Sequence, residues 1–225
     1  MPGGAFFDLD RTLLSRSSSL ALAGTFRGRG LIGRRQLAKA AFAQLVFARF
    51  GAGHARVGQT ADSAMSILKG LSVDVMHEIA ESAWEPVLRP LVYREAVELA
   101  EVHASRGEPV FIVSAALQEV VETIAQKLGF TGALASRAEV EDGIYTGRLE
   151  RRLYGPAKGA ALVELAAADD LELESSTAYS DSHSDLAFLE AVGHPVVVNP
   201  DRALARVARE RGWPIRRFRH RLGSA

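Results

Sequence analysis

Ala5-Phe6-Phe7-Asp8-Leu9-Asp10-Arg11-Thr12-Leu13 opens on apolar residues and then sets two carboxylates two positions apart. A short apolar run that stops at an acidic residue reads as a buried parallel strand delivering a side chain at its carboxyl end. Three more runs share this form. Val110-Phe111-Ile112-Val113 leads to Ser114, Thr177-Ala178-Tyr179-Ser180 to Asp181, and Pro195-Val196-Val197-Val198 to Asn199. Helical patterns follow these three, over 117–128, 184–191 and 201–211. Alternating strands and helices predict an α/β fold with a doubly wound parallel sheet.

The first strand breaks the rhythm, because the next strand-like run does not arrive until Val110. Between them apolar residues recur at helical spacing over 37–50, 61–68 and 73–87, with Gly28, Gly33, Gly51, Gly58 and Gly70 among the breaks. The spacing predicts a helical cap over 16–86, inserted into a core formed by 1–15 and 87–225. Pro86 and Pro90 mark the return, and 90–106 forms the helix leading to the second strand. Asp142-Gly143 between β-prone residues predicts a hairpin. Pro156 suits the first turn of a helix that begins near Gly155.

A chain of 225 residues that is 48% hydrophobic can bury a sizeable core. Lys+Arg and Asp+Glu are both 27, so no overall field draws the chain to nucleic acid. Two arginine clusters, Arg27, Arg29, Arg34 and Arg35, and the run from Arg202 onward, read as solvated faces. The absence of cysteine excludes disulfides, thiolate zinc sites and cysteine nucleophiles. The first residues lack the basic head of a secretory signal, and the apolar stretch 37–50 carries Lys39 and Arg49 and is too short to span a bilayer. The expectation is a soluble, cytoplasmic protein with a small-molecule partner, peripheral membrane contact being the lesser alternative.

In a sheet of this kind ligands bind at the carboxyl ends of the strands. The residues expected there are Asp8 and Asp10, Ser114, Asp181 and Asp185, with Lys158 at the start of a helix on the same edge. Such carboxylates suit Mg2+, while Lys158 and Ser114 suit a phosphate. Of two carboxylates at i and i+2, one can attack phosphorus. The other can protonate the leaving oxygen and then activate water. Each residue taken singly has a plainer reading: Asp10-Arg11-Thr12 as a turn, Ser114 as a helix cap, Asp181 and Asp185 as acids at a helix start. What separates the readings is their order at successive strand ends.

These residues resemble the haloacid dehalogenase superfamily, and within it subfamily IB, the phosphoserine-phosphatase-like branch. Asp8-Leu9-Asp10-Arg11-Thr12 resembles its first motif, Val113-Ser114 its second, Lys158 its third, and Asp181-Ser182-His183-Ser184-Asp185 its fourth. The resemblance implies a Rossmann-like core with a helical cap after the first motif, and a magnesium-dependent phosphatase working through an aspartyl phosphate. It implies Asp8 as nucleophile and metal ligand. It implies Asp10 as general acid/base, giving its backbone carbonyl to the metal. Asp181 becomes a further ligand, with Asp185 and Thr12 in support. Ser114 and Lys158 would bind the phosphate. Apart from the resemblance, Arg11 sets a cation beside Asp10 that suits an anionic or polar group of the substrate.

The resemblance to phosphoserine phosphatases weakens where the substrate is read. The cap glutamate nine positions beyond the nucleophile is Ser17 here, and the cap arginine falls on Ala64. A zwitterion would leave its two charges unpaired, so a substrate other than phosphoserine is expected. The apolar cap segment with Phe42, Phe47 and Phe50 favours an apolar or bulky leaving group. Phosphoserine hydrolysis, transfer of phosphate to an alcohol, and non-catalytic binding of a phospholigand are the competing expectations.

Overall fold

The computed structural model describes residues 2–33, 65 and 67–223. Among them the sheet has seven strands. These are β1 (Ala5–Phe7), β2 (Val110–Leu117), β3 (Gly132–Glu141), β4 (Ile144–Arg151), β5 (Thr177–Ser180), β6 (His194–Val198) and β7 (Ile215–Arg216). They lie in the order β4-β3-β2-β1-β5-β6-β7. Every neighbouring pair is parallel except β3 and β4. The helices are α1 (Ser18–Gly28), α2 (Val73–Ala83), α3 (Arg94–Ser105), α4 (Gln118–Leu128), α5 (Pro156–Ala168), α6 (Leu186–Glu190) and α7 (Arg202–Arg211).

Phe6 and Phe7 account for the layering. Successive strand side chains face opposite sides. Phe7 joins Ile112 and Tyr179 in a cluster with Met76 of α2, Ala96 of α3 and Ile124 of α4. Phe6 joins Phe111 and Ala178 in a second cluster with Leu162 of α5, Phe188 of α6 and Leu204 of α7. Helices therefore cover both faces, and β1 is apolar throughout because it has no wet side. Both phenylalanines are fully buried, which stabilises the fold by roughly 1.5–3 kcal/mol for each side chain. Phe7 stacks on Tyr179 with ring centroids 4.3 Å apart.

From β1 the chain builds outward through β2, β3 and β4, then crosses back to place β5 against the other side of β1. The switch point lies between β1 and β5. A crevice opens at the carboxyl ends of strands where connections part in this way.

Several expectations need correction. β2 does not end at Ser114; it runs to Leu117 through a register shift. α4 therefore starts at Gln118, and Ser114 does not cap it. The helix expected over 90–106 begins at Arg94. Pro86 does not stop the helix before it but lies inside a π-helical turn, Trp84–Leu88, followed by a 3-10 turn, Arg89–Leu91. Proline has no N–H to donate, and the wider turn re-pairs the backbone, with Arg89 N–H donating to Trp84 O. The hairpin forms as expected, with Asp142 at φ 50 and Gly143 at φ 78 as its two-residue turn requires.

Between β1 and β2 the described residues form helices joined by turns and isolated bridges. Leu22 of α1 and Met76 and Ala80 of α2 belong to the same cluster as Phe7 and Ile112. Arg29 ties the two helices by donating to Ser82 Oγ at 3.0 Å. The expected helix over 37–50, Arg34, Arg35 and Ala64 lie outside the described residues. Among the described residues no helix is long and apolar enough to cross a membrane.

Candidate active site

The ladder between β1 and β5 continues one residue past Phe7, since Asp8 N–H donates to Tyr179 O at 2.9 Å. The Asp8 side chain is thus delivered into the switch point, where the residue is only 7% exposed. The chain then folds back sharply, with Leu13 N–H donating to Leu9 O at 3.0 Å. The fold-back puts Arg11 at φ 68, a left-handed conformation that costs a residue other than glycine about 1–2 kcal/mol. It also turns Asp10 toward α1, where Asp10 Oδ1 accepts from Ser18 N–H at 2.8 Å.

Lys158 joins the acids. It sits in the first turn of α5, which begins with Pro156 after Gly155 at φ 61. Its Nζ donates to Asp8 Oδ1 at 2.6 Å and to Asp185 Oδ2 at 2.7 Å. The ammonium also lies 4.6 Å from the centre of the Phe188 ring. Ser180 Oγ donates to the same Asp185 oxygen at 2.7 Å. Gly159 allows this approach: a Cβ there would stand 2.6 Å from the carbonyl oxygen of Ala187.

The electrostatics follow from burial. Removal from water works against the Lys158 ammonium, yet Asp185 and Asp8 outweigh it and hold its pKa up at about 12. Burial pushes the Asp8 carboxyl up to about 7 despite Lys158, with Asp185 and Asp10 adding to the rise. Asp181 is raised well above the usual carboxylate range, first by burial and then by Asp8, with Arg11 opposing. Burial also raises Asp10, and the Ser18 N–H pulls it back. Four carboxylates thus face the positive charges of Lys158 and Arg11.

That excess of negative charge fits a cation. Among the described residues no three His, Cys, Asp or Glu side chains form a metal cage by themselves. Asp8 and Asp181 with one backbone carbonyl make a smaller set. Mg2+ favours such sites, keeping waters and a phosphate in its remaining positions.

The other expected residues are distributed around this group. Phe7 pairs with Ile112, so the register puts Val113 beside Asp8 and Ser114 one residue further along β2. Ser114 Oγ accepts from Ala116 N–H at 3.1 Å. Thr12 is fully buried, and its hydroxyl finds no partner among the described residues. His183 joins the local structure through its backbone, its N–H donating to Asp201 Oδ2 at 2.9 Å and its carbonyl accepting from Leu186 N–H. Asp201 also caps α7 and donates its own N–H to Asp181 O at 2.9 Å, so it holds the acidic loop in place. The parts played by Ser180, Phe188 and Ser18 carry no local sequence signal, since each depends on a packed neighbour, whereas Asp201 is marked as an N-cap by its place before the helical pattern.

Residues 5–190 match the haloacid dehalogenase-like hydrolase family. The chain is 42% identical over 214 residues to a probable phosphatase of Mycobacterium tuberculosis, an overlap of 95% of this chain and 75% of the relative. It is 37% identical over 226 residues to a phosphoserine phosphatase of the same organism, covering 97% of this chain and 72% of the relative. Among solved structures, a protein of unknown function from Bordetella pertussis Tohama I superposes with a TM-score of 0.82 at 28% identity. That match covers 96% of this chain and 98% of the other.

Proposed function

The chain belongs to the haloacid dehalogenase-like hydrolases and is a phosphatase of that family, a phosphoric monoester hydrolase, and from this premise we propose that it works through an aspartyl phosphate on Asp8. One observation carries the reading: Lys158 bridges Asp8, just past the end of β1, and Asp185, in the turn that follows β5, beside a buried Asp181. An Asp8 oxygen attacks phosphorus while the ester oxygen leaves with a proton from Asp10. Asp10, now a carboxylate, takes a proton from water; the hydroxide attacks the same phosphorus and frees Asp8 and phosphate. Lys158 and Ser114 hold phosphate oxygens, and Lys158 neutralises part of the charge that gathers there. Arg11 meets a polar group of the substrate, and Thr12 supports the loop that carries Asp10.

The family typically uses Mg2+. In this chain Asp8, Asp181 and the carbonyl of Asp10 would hold it. There it would screen the repulsion between an anionic nucleophile and an anionic phosphate. The insertion 16–86 serves in this reading as a cap over the crevice, the core being 1–15 and 87–225.

For the substrate we favour a phosphomonoester other than phosphoserine. Ser17 lies against Asp10, so this position presents a hydroxyl rather than a carboxylate to a substrate amine. The relative named as a phosphoserine phosphatase supports the rival reading. Phosphate release from phosphoserine, a sugar phosphate, phosphocholine and a short lysophosphatidate, with magnesium and then with chelator, tests both points. A clear preference for phosphoserine sinks the substrate reading; activity undiminished by chelator sinks the metal. Added alcohols distinguish hydrolysis from transfer, because a phosphorylated alcohol would appear in place of free phosphate.

A further inference from the structure

α1 begins without the usual means of satisfying its own amino end. Its N-cap residue, Ser17, makes no side-chain cap hydrogen bond, and its first turn contains no acid. The first N–H groups and the positive end of the helix dipole are therefore left for a group from elsewhere in the chain. That group is Asp10, eight positions earlier in the chain, whose Oδ1 accepts from Ser18 N–H at 2.8 Å. Ser18 is itself buried, its hydroxyl has no partner among the described residues, and its backbone N–H favours the Asp10 carboxylate more than the neighbouring Ser17 hydroxyl does.

We propose that Ser18 is a positioning residue, whose backbone N–H fixes the Asp10 carboxyl for proton transfer. With Oδ1 engaged as an acceptor, the transferable proton is confined to Oδ2, and the carboxyl cannot rotate without losing the bond. A carboxyl held in one orientation has already lost the rotational freedom that proton transfer would otherwise remove. The same bond stabilises the start of α1, so the geometry of the proton donor and the folding of this helix are one interaction. The proposal rests on the reading of Asp10 as general acid.

The test is Ser18→Pro. Ser18 is the first residue of α1, a position that favours proline. Ser17 before it has φ −63 and ψ 128, the conformation a residue preceding proline adopts. The change deletes the N–H and keeps the helix start. The value of kcat/KM reports phosphoenzyme formation, and p-nitrophenolate leaves without a proton whereas a benzylic alkoxide requires one. The expected result is a fall of about tenfold or more on p-nitrobenzyl phosphate, against less than about threefold on p-nitrophenyl phosphate. Ser18→Ala keeps the N–H and is expected to recover the p-nitrobenzyl rate lost in Ser18→Pro. Equal falls on both substrates, or no fall on either, overturn the proposal. Asp10→Asn separates the two readings. If it retains the parent rate on p-nitrobenzyl phosphate, the acid assignment fails; if it loses that rate and Ser18→Pro does not, only the role of Ser18 fails. Should Ser18→Pro not fold, the Ser18 amide proton of the parent is compared by NMR with that of Asp10→Ala. An upfield move on losing the acceptor supports the bond, and an unmoved resonance overturns it.

Discussion

Lys158 Nζ lies 2.6 Å from Asp8 Oδ1, although 150 residues separate the two in the chain. Both side chains are almost out of water, at 2% and 10% exposure. The same ammonium serves Asp185, which is equally enclosed. One cation thus keeps two carboxylates tolerable in a site largely shielded from water.

Lys158→Met is expected to destabilise the protein by about 3–5 kcal/mol, because two buried carboxylates then face each other without a counter-charge. Urea unfolding at neutral pH without added metal measures it. A loss below about 1 kcal/mol would mean that the bridge contributes nothing net.

Asp8→Asn is expected to lower turnover by at least about 10³-fold, as removal of a covalent nucleophile does. The fold should persist, since Asn fills the same space and removes a carboxylate that burial disfavours. Phosphate release and circular dichroism on the same preparation check both halves. Parent-like turnover in the folded variant excludes the aspartyl phosphate.

With chelator present, stability is expected to fall as the pH rises from about 4 to about 7. Folded Asp8 is raised from 3.8 to about 7 and keeps a proton that the unfolded chain has already released. Asp8→Asn should reduce that slope, the remainder coming from Asp181 and Asp10, which burial also raises. Magnesium should raise the midpoint of thermal unfolding more at pH 8 than at pH 5, because the ion competes with the protons on Asp8 and Asp181. Asp181→Ala should abolish the magnesium effect. A metal effect unchanged in that variant would move the ion elsewhere.

Gly159→Ala is expected to cost about 1–3 kcal/mol and to lower activity as well. The added methyl would stand 2.6 Å from the Ala187 carbonyl oxygen. Backbone cannot yield as a side-chain tip can, so α5 must shift and carry Lys158 with it. Thermal unfolding with kcat on one substrate reads both effects; a stable and fully active variant would show that α5 and α6 can separate freely.

Much of the frame was legible because strand and helix periods are local properties. Ala5-Phe6-Phe7 before Asp8, and Val110-Phe111-Ile112-Val113 before Ser114, are apolar on both faces, which only a covered strand tolerates. The hairpin at Asp142-Gly143 was legible for the same reason, since two positive φ values demand those residue types. β3 was not. Gly132-Ala133-Leu134-Ala135 lacks β-branched and aromatic residues and becomes a strand because β2 offers it a parallel edge. Pro86 misled in the opposite sense: a helix breaker by local rule, it lies within a π-turn that re-pairs the backbone around it.

By itself the sequence determined which polar residues close the apolar runs, because the length of each run and the residue after it are written consecutively, although β2 continues past Ser114 to Leu117. It therefore singled out Asp8, Asp10, Ser114, Lys158, Asp181 and Asp185 as a set. Tertiary structure alone decided their relations: that Lys158 joins Asp8 to Asp185, that Ser180 and Phe188 complete its surroundings, and that Asp10 is tied to the start of α1. The physical reason is that a carboxylate's partner and its affinity for protons depend on distance and on exclusion of water. Neither exists until α5, α6 and the two halves of the sheet have packed around β1.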